Sequence, residues 1–371
     1  MKDNLTQTKP PEPALLIGID WADQKHDTYT IDRQGHGVWE QIEHSPEAID
    51  AWLAEKLRQA DGQPIAILLE QSRGALIHTL MFRKNVILYP INPKQFARYR
   101  ESYSNAGCKD DPTDAQLLAR MLRERIRLLK PWTPDDESTR LLARLCQTRR
   151  QLVNERTRLT QQLIDQLKAY FPLVLEFNSS QSVSSLVLEL LRRWPDPRCL
   201  KRADRRILHR VLREHGYRNE DKRQEVIERI RSARLLSHDR ALIEPAAIVV
   251  QCLARQIPVL ERSIEALEAS IDKEMANHPD AKLFTALPGA GKTLAPRLLT
   301  AFGSQRDRFA SANEVATFSG IAPVTKRSGK SCIGATHVPN TCVRHFTSSP
   351  IMRESGAPGA GPTTAYKRAE A

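Results

Sequence analysis

Two short apolar runs, each closed by a carboxylate, constrain the fold of this 371-residue chain more than any other feature. One is Ala-Leu-Leu-Ile-Gly-Ile-Asp at 14–20; the other is Pro-Ile-Ala-Ile-Leu-Leu-Glu at 64–70. Runs this short, unbroken and bounded predict buried strands that end in an acid. Around them His26 to Ile31 alternates and is β-prone. Gln34-Gly35-His36-Gly37 predicts a turn, and Val38 to Ile42 a returning third strand. Pro46 to Arg58 has a helical pattern with Ile49, Trp52 and Leu53 on one face. Val86 to Pro90 predicts a short strand, followed by helices over about 93–101 and 112–125.

Three strands, then helices alternating with strands, is a mixed α/β order, and it matches the RNase H-like layout. Downstream, Leu142, Leu145, Leu152, Leu159, Leu163 and Leu167 mark one long helix over 137–170. Ile257, Leu260, Ile264, Leu267 and Ile271 mark another. Both read as coiled-coil seams, with Pro258 expected in a first helical turn, where proline is tolerated.

Charge narrows the partners. Lys plus Arg is 56 against 44 Asp plus Glu, a formal net charge of +12. That sign favours a polyanion. Residues 191–240 alone hold 16 Lys/Arg and 8 Asp/Glu, which suits a solvated helical face or a nucleic-acid surface equally. No eighteen consecutive residues are apolar, so no membrane span is expected, and the polar, Pro-rich residues 1–13 argue against secretion. Six scattered cysteines without a CxxC pair suggest neither a zinc site nor a disulfide framework, and a reducing cytoplasm is the expected setting.

Chemistry points to the acids. Asp20 and Glu70 end their strands, and the cluster Lys109-Asp110-Asp111-Pro112-Thr113-Asp114 opens a helix. Asp111 there fits the N-cap, with Asp114 three residues on. Taken singly, Asp111 is a helix cap and Asp114 a solvated helix residue. Together, four hard oxygen donors from two strands and one helix can hold Mg²⁺ (or Mn²⁺), and a pair of such ions can clamp both oxygens of a phosphoryl transfer. Near the other end, Leu287-Pro288-Gly289-Ala290-Gly291-Lys292-Thr293 invites a phosphate-loop reading, but Ala286 stands where the pattern needs glycine. A helix–hairpin–helix fits better, with Gly289, Gly291 and Lys292 at a DNA phosphate. Farther on, Ser328 sits among Lys326, Arg327, Gly329 and Lys330, a setting that presents a hydroxyl to a phosphate.

These pieces, in this order, closely resemble the DEDD insertion-sequence transposases of family one-ten, also called bridge-RNA-guided serine recombinases. The N-terminal part of the resemblance is Ile17-Gly18-Ile19-Asp20, Leu68-Leu69-Glu70, Asn92-Pro93 and the Lys-x-Asp-x-x-Asp-Ala pattern at 109–115. The C-terminal part is Leu-Pro-Gly-Ala-Gly at 287–291, Phe302-Gly303, Phe309, Ser-Gly-Ile-Ala-Pro at 319–323 and Arg327-Ser328-Gly329. The resemblance implies a polar tail (1–13), an RNase H-like (RuvC-like) DEDD domain (14–130) and a helical coiled-coil and basic linker (131–275). A small, mostly helical transposase domain (276–331) completes it. It implies Asp20, Glu70, Asp111 and Asp114 as metal ligands. Ser328 becomes the nucleophile of a 5′-phosphoserine link in a composite active site. The implied partners are donor and target DNA, a structured guide RNA and further copies of the chain, at the bacterial nucleoid and without a membrane.

After Ser331 the resemblance stops: residues 332–371 are rich in Gly, Pro, Ser and Thr without helical period. Shifting the codons by two bases from Thr341 permits an amphipathic, family-like helix, so a frameshift within about 332–341 is inferred, leaving a disordered tail. Two other functions suit the same residues: a RuvC-like metal-dependent nuclease that uses water as nucleophile, and a truncated, non-catalytic nucleic-acid-binding remnant.

Overall fold

The computed structural model describes residues 12–70, 75–103, 111–178, 183–319, 323–328 and 331–336. They divide into two compact units, Met1–Pro134 and Asp135–Ala371. Trp132, near the end of the first unit, bridges to Leu88 at the sheet.

The first unit is a mixed α/β layer around one five-stranded sheet. Strands β1 (Leu15–Asp20), β2 (Lys25–Ile31) and β3 (Gly37–Glu43) form an antiparallel meander, followed by helix α1 (Pro46–Gln59). Strand β4 (Ile65–Leu69), helix α2 (Ala75–Leu80) and strand β5 (Val86–Pro90) add two parallel strands, giving the order β3-β2-β1-β4-β5. Helices α3 (Pro93–Glu101) and α4 (Asp111–Arg125) follow. Alternation sorts the strand residues between two cores. Ile17, Ile19, Ile65, Ile67 and Leu69 pack with Ile49, Trp52 and Leu53 of α1. Ala66 and Leu68 face the other way, onto Leu118, Met121 and Leu122 of α4 and Phe96 and Tyr99 of α3. Gly18 makes α4's close approach possible: a Cβ there would lie 2.2 Å from the Ala115 carbonyl oxygen and 2.4 Å from the Ala119 nitrogen.

The second unit is built on two long helices, α5 (Glu137–Tyr170) and, after a helical insert, α10 (Arg240–Asn277). They run antiparallel. Leu142 near the start of α5 shares a core with Ile271 and Met275 at the end of α10, while Leu163 and Leu167 pack with Ile243 to Ile257. Between them α6 (Ser185–Arg193), α7 (Pro197–Lys201), α8 (Arg205–Glu214) and α9 (Glu220–Ser232) close over the far end of the pair. The linker expected over 131–275 is therefore a bundle with its own core. Pro258 lies inside α10 rather than in a first turn, as does Pro245. Burial of Ala254 and Ile257 beside Pro258 holds the helix through the break. By length and composition alone α10 is long and apolar enough to cross a membrane. Absence of an unbroken apolar run did not foretell this. The inward row of that helix, from Ile243 to Ile257, lies in the bundle core.

Beyond α10 come α11 (Ala281–Thr285), α12 (Leu294–Phe302) and α13 (Ala312–Ser319), then the hairpin of β6 (Pro323–Ser328) and β7 (Ser331–Thr336). Phe284, Leu294, Leu298 and Leu299 seal the near end of the α5/α10 pair. The pairing of this hairpin runs from Pro323 to Thr336.

Candidate active site

The carboxylates of the first unit are placed by register. Strands β1 and β4 are parallel neighbours with Ile19 opposite Leu69, so Asp20 and Glu70 come next at adjacent carboxyl ends. Asp20 shares its parity with Gly18, and Glu70 with Ala66 and Leu68, the residues that face α4. Helix α4 points its N-terminus toward that same end. Ile31 pairs with Leu16, which puts the β2–β3 turn at the opposite end of β1, and there the Arg123 guanidinium stands 3.2 Å from the Cβ position of Gly35. The start of α4, with Asp114, is therefore on the side of Asp20.

Asp114 is 4% exposed, and its carboxylate accepts from the Arg100 guanidinium at 2.7 Å. Asp111 is the first residue of α4, not the cap before it; its side chain lies outside the described residues. Two strand-end acids and one helical acid thus come to one end and one face of the sheet. Among the described residues no three His, Cys, Asp or Glu side chains stand close enough together to hold a metal ion. The donor chemistry suits a hard divalent cation. Arg100, which now occupies an oxygen of Asp114, is the residue that pattern reading missed; no sequence signal links it to α4.

The exit of β1 is fixed by an aromatic knot. Ala22 N–H donates to His26 Nδ1 at 3.3 Å, and His26 Nε2 lies 2.9 Å from His44 Nδ1. The Trp21 ring stands 6.3 Å from His26 and 6.4 Å from His44. With Nδ1 accepting, His26 is neutral and donates through Nε2 to His44. Burial, and then the neighbouring His44, lowers its pKa below the ordinary histidine value.

In the second unit the glycine loop is a compact turn, with Gly289 at φ +75°. Ala290 N–H donates to the Leu287 carbonyl and Gly291 N–H to the Gly289 carbonyl, so two of its amides are engaged internally. Lys292 reaches Asp272 of α10 at 3.6 Å. Behind the loop, Cys146 is half-buried and its thiol is pushed up to about 11 by desolvation. Ser328 ends β6 and pairs with Ser331, and Lys326 and Arg327 precede it in the strand. Gly329 and Lys330, and the side chains of Lys326, Arg327 and Ser328, lie outside the described residues.

Comparison with known proteins adds two family matches and several relatives. A DEDD-type family described as transposase matches residues 17–172, and one described as the transposase IS116/IS110/IS902 family matches residues 281–341. The chain is 27% identical over 339 residues to a Streptomyces coelicolor protein named "Mini-circle putative transposase for IS117", covering 88% of this chain and 80% of that one. It is 30% identical over 208 residues to "Putative transposase y4uE" of Sinorhizobium fredii, covering 55% and 57%. It is 27% identical over 330 residues to the "Insertion element IS900 uncharacterized 42 kDa protein" of Mycobacterium paratuberculosis, covering 85% and 79%.

Proposed function

The chain belongs to the IS116/IS110/IS902 family of DNA transposases, and from that membership we propose that it cuts and rejoins DNA for an insertion sequence through Ser328, assisted by a DEDD metal site in an RNase H-like domain. The observation that carries the reading is the pair of family matches, at 17–172 and 281–341, which bracket the carboxylates and the serine in one order.

Asp20, Glu70, Asp111 and Asp114 are the residues that would hold Mg²⁺ or Mn²⁺, and the strand-end register of the first two supports this. Such ions, when bound, neutralise phosphate charge and polarise the phosphoryl oxygens. Arg100 keeps the Asp114 carboxylate oriented and screens it from the other acids. Ser328 Oγ attacks the phosphorus; the new ester joins the 5′-phosphate to the protein, and the bond to the 3′-oxygen breaks. The proton lost by Ser328 is balanced by the one gained at the 3′-hydroxyl, so none is consumed overall. Lys326, Arg327 and Lys330 would hold the phosphate during transfer and stabilise its developing charge. Gly289, Gly291 and Lys292 would contact flanking backbone. Donor and target DNA, a structured guide RNA and further copies of the chain complete the proposed assembly, in the cytoplasm at the nucleoid. The residues after about 332–341 are proposed to be read in a shifted frame.

The test is covalent capture. Incubated with a supercoiled donor and Mg²⁺, the chain with its frame restored is expected to give protein–DNA adducts. Ser328→Ala abolishes them, and Glu70→Gln reduces them at least a hundredfold. Cleavage that persists in Ser328→Ala without adducts would identify a nuclease using water instead.

A further inference from the structure

More than half of the cations of the basic stretch 191–240 are engaged within the fold. Of its 16 lysines and arginines, six face carboxylates, as Arg205 does Glu228 and Arg198 does Asp196. Three more, Lys201, Arg223 and Arg231, donate to main-chain carbonyls. Among those that remain, Arg206, Arg210 and Arg213 are all exposed and all on α8. At 3.6 residues per turn they fall within an arc of about 60°. The opposite side of the helix carries its buried residues Leu208, Val211 and Leu212. Three cations without a carboxylate partner among the described residues therefore form one stripe, anchored to a rigid core.

We propose that this α8 stripe docks the phosphate backbone of duplex DNA. The inference rests on the transposase reading, which makes DNA the polyanion at hand. From Arg206 to Arg213 the helix advances roughly 10 Å, and phosphates on one strand repeat about every 3.4 Å along the duplex axis, so the stripe spans about three of them. Arginine's planar fork suits phosphate oxygens. The stripe has no aromatic ring on which an unpaired base could stack, which favours a duplex and a contact indifferent to sequence.

The experiment uses the full chain and a 40-base-pair duplex of arbitrary sequence, with affinity followed across a salt series. The variant R206Q/R210Q/R213Q is compared with R218Q/K222Q/R234Q, which removes the same charge elsewhere in the same stretch. The stripe variant is expected to bind at least about tenfold more weakly near 0.1 M salt. Its slope of log affinity against log salt should flatten by between ~2 and ~3, at about 0.9 for each phosphate left unneutralised. The control variant should change less than about threefold. Arg210→Gln alone should remove about a third of the slope change, which keeps the test open if the triple variant fails to fold. Equal weakening in both triple variants, or none in the stripe variant, overturns the proposal. So does a weakening confined to a hairpin RNA with duplex DNA affinity unchanged. If the unaltered chain shows no duplex binding, the transposase reading falls with it; if that chain binds and only the stripe result fails, the transposase reading stands.

Discussion

Arg308 reaches back across 173 residues to place one nitrogen 2.9 Å from each carboxylate oxygen of Asp135. The same carboxylate accepts from the Ser304 N–H at 2.8 Å, just after Gly303 turns the chain at φ +81°. Asp136 then caps α5 through Thr139, whose hydroxyl meets His278 Nε2 at 2.9 Å. One acid at the head of α5 thus fixes the turn that follows α12.

Replacing that acid tests the anchor. Asp135→Ala leaves the partly buried Arg308 guanidinium and two main-chain amides without their acceptor, and should destabilise the second unit by about 2–4 kcal/mol. Chemical denaturation of the full chain, followed by far-UV circular dichroism, would show an earlier transition. Asp135→Asn, which keeps an acceptor oxygen, should recover part of the loss. An unchanged midpoint in the alanine variant would refute the anchor.

Gly18→Val should be among the most damaging single changes in the first unit. Its Cβ meets main-chain atoms of α4 at 2.2 and 2.4 Å, which no side-chain rotation can relieve. Strain of this kind costs about 1–3 kcal/mol or more. The expected outcome is poor soluble yield and a lowered melting temperature, with Gly291→Ala, which has open space around it and no positive φ, as the tolerated comparison for crowding.

Acid should loosen the exit of β1. His26 binds its proton more weakly when folded than at the ordinary value of 6.5, so its contribution to stability is complete above that pH. It is lost as pH falls through the range below 6.5 toward the folded value. Protonation would also break the Ala22 N–H bond to Nδ1. Melting temperatures at pH 7.5 and 5.5 should differ more for the unaltered chain than for His26→Gln, and equal differences would dismiss the effect.

Metal removal separates binding from chemistry. Chelation by EDTA should abolish strand cleavage while leaving duplex binding largely intact, because the cationic surface needs no ion. Mg²⁺ or Mn²⁺ should restore cleavage; Ca²⁺, which tolerates looser geometry, should support binding with little turnover.

Restoring the shifted frame after about residue 332 should raise strand exchange from little or none to a readily measured level in a plasmid recombination assay. Equal activity from both chains would dismiss the frameshift.

The sheet of the first unit was legible because its apolar runs and turn residues act locally; Leu15–Asp20 and Ile65–Leu69 lie where the pattern put them. That Asp20 and Glu70 follow each other's register at neighbouring strand ends was legible as well, because β1 and β4 are parallel partners with Ile19 opposite Leu69. Arg100 against Asp114 and His26 against His44 were not, because such pairs depend on how distant elements pack. The first half of α10 was hidden by Pro245 and Pro258, whose local cost tertiary burial overrides. The β6–β7 hairpin was hidden by Lys-Arg-Ser-Gly-Lys, a composition typical of solvated loops.

Because α5 and α10 run in opposite directions, everything between Tyr170 and Arg240 is an excursion that comes home to where it left. Length can be added or trimmed at the far tip, turn by turn on both arms, while Ser304 keeps its hold on Asp135. The hairpin that carries Ser328 is thereby insulated from variation in the region whose length the family could most easily change. Related chains of quite different size can, by this architecture, keep the same short stem.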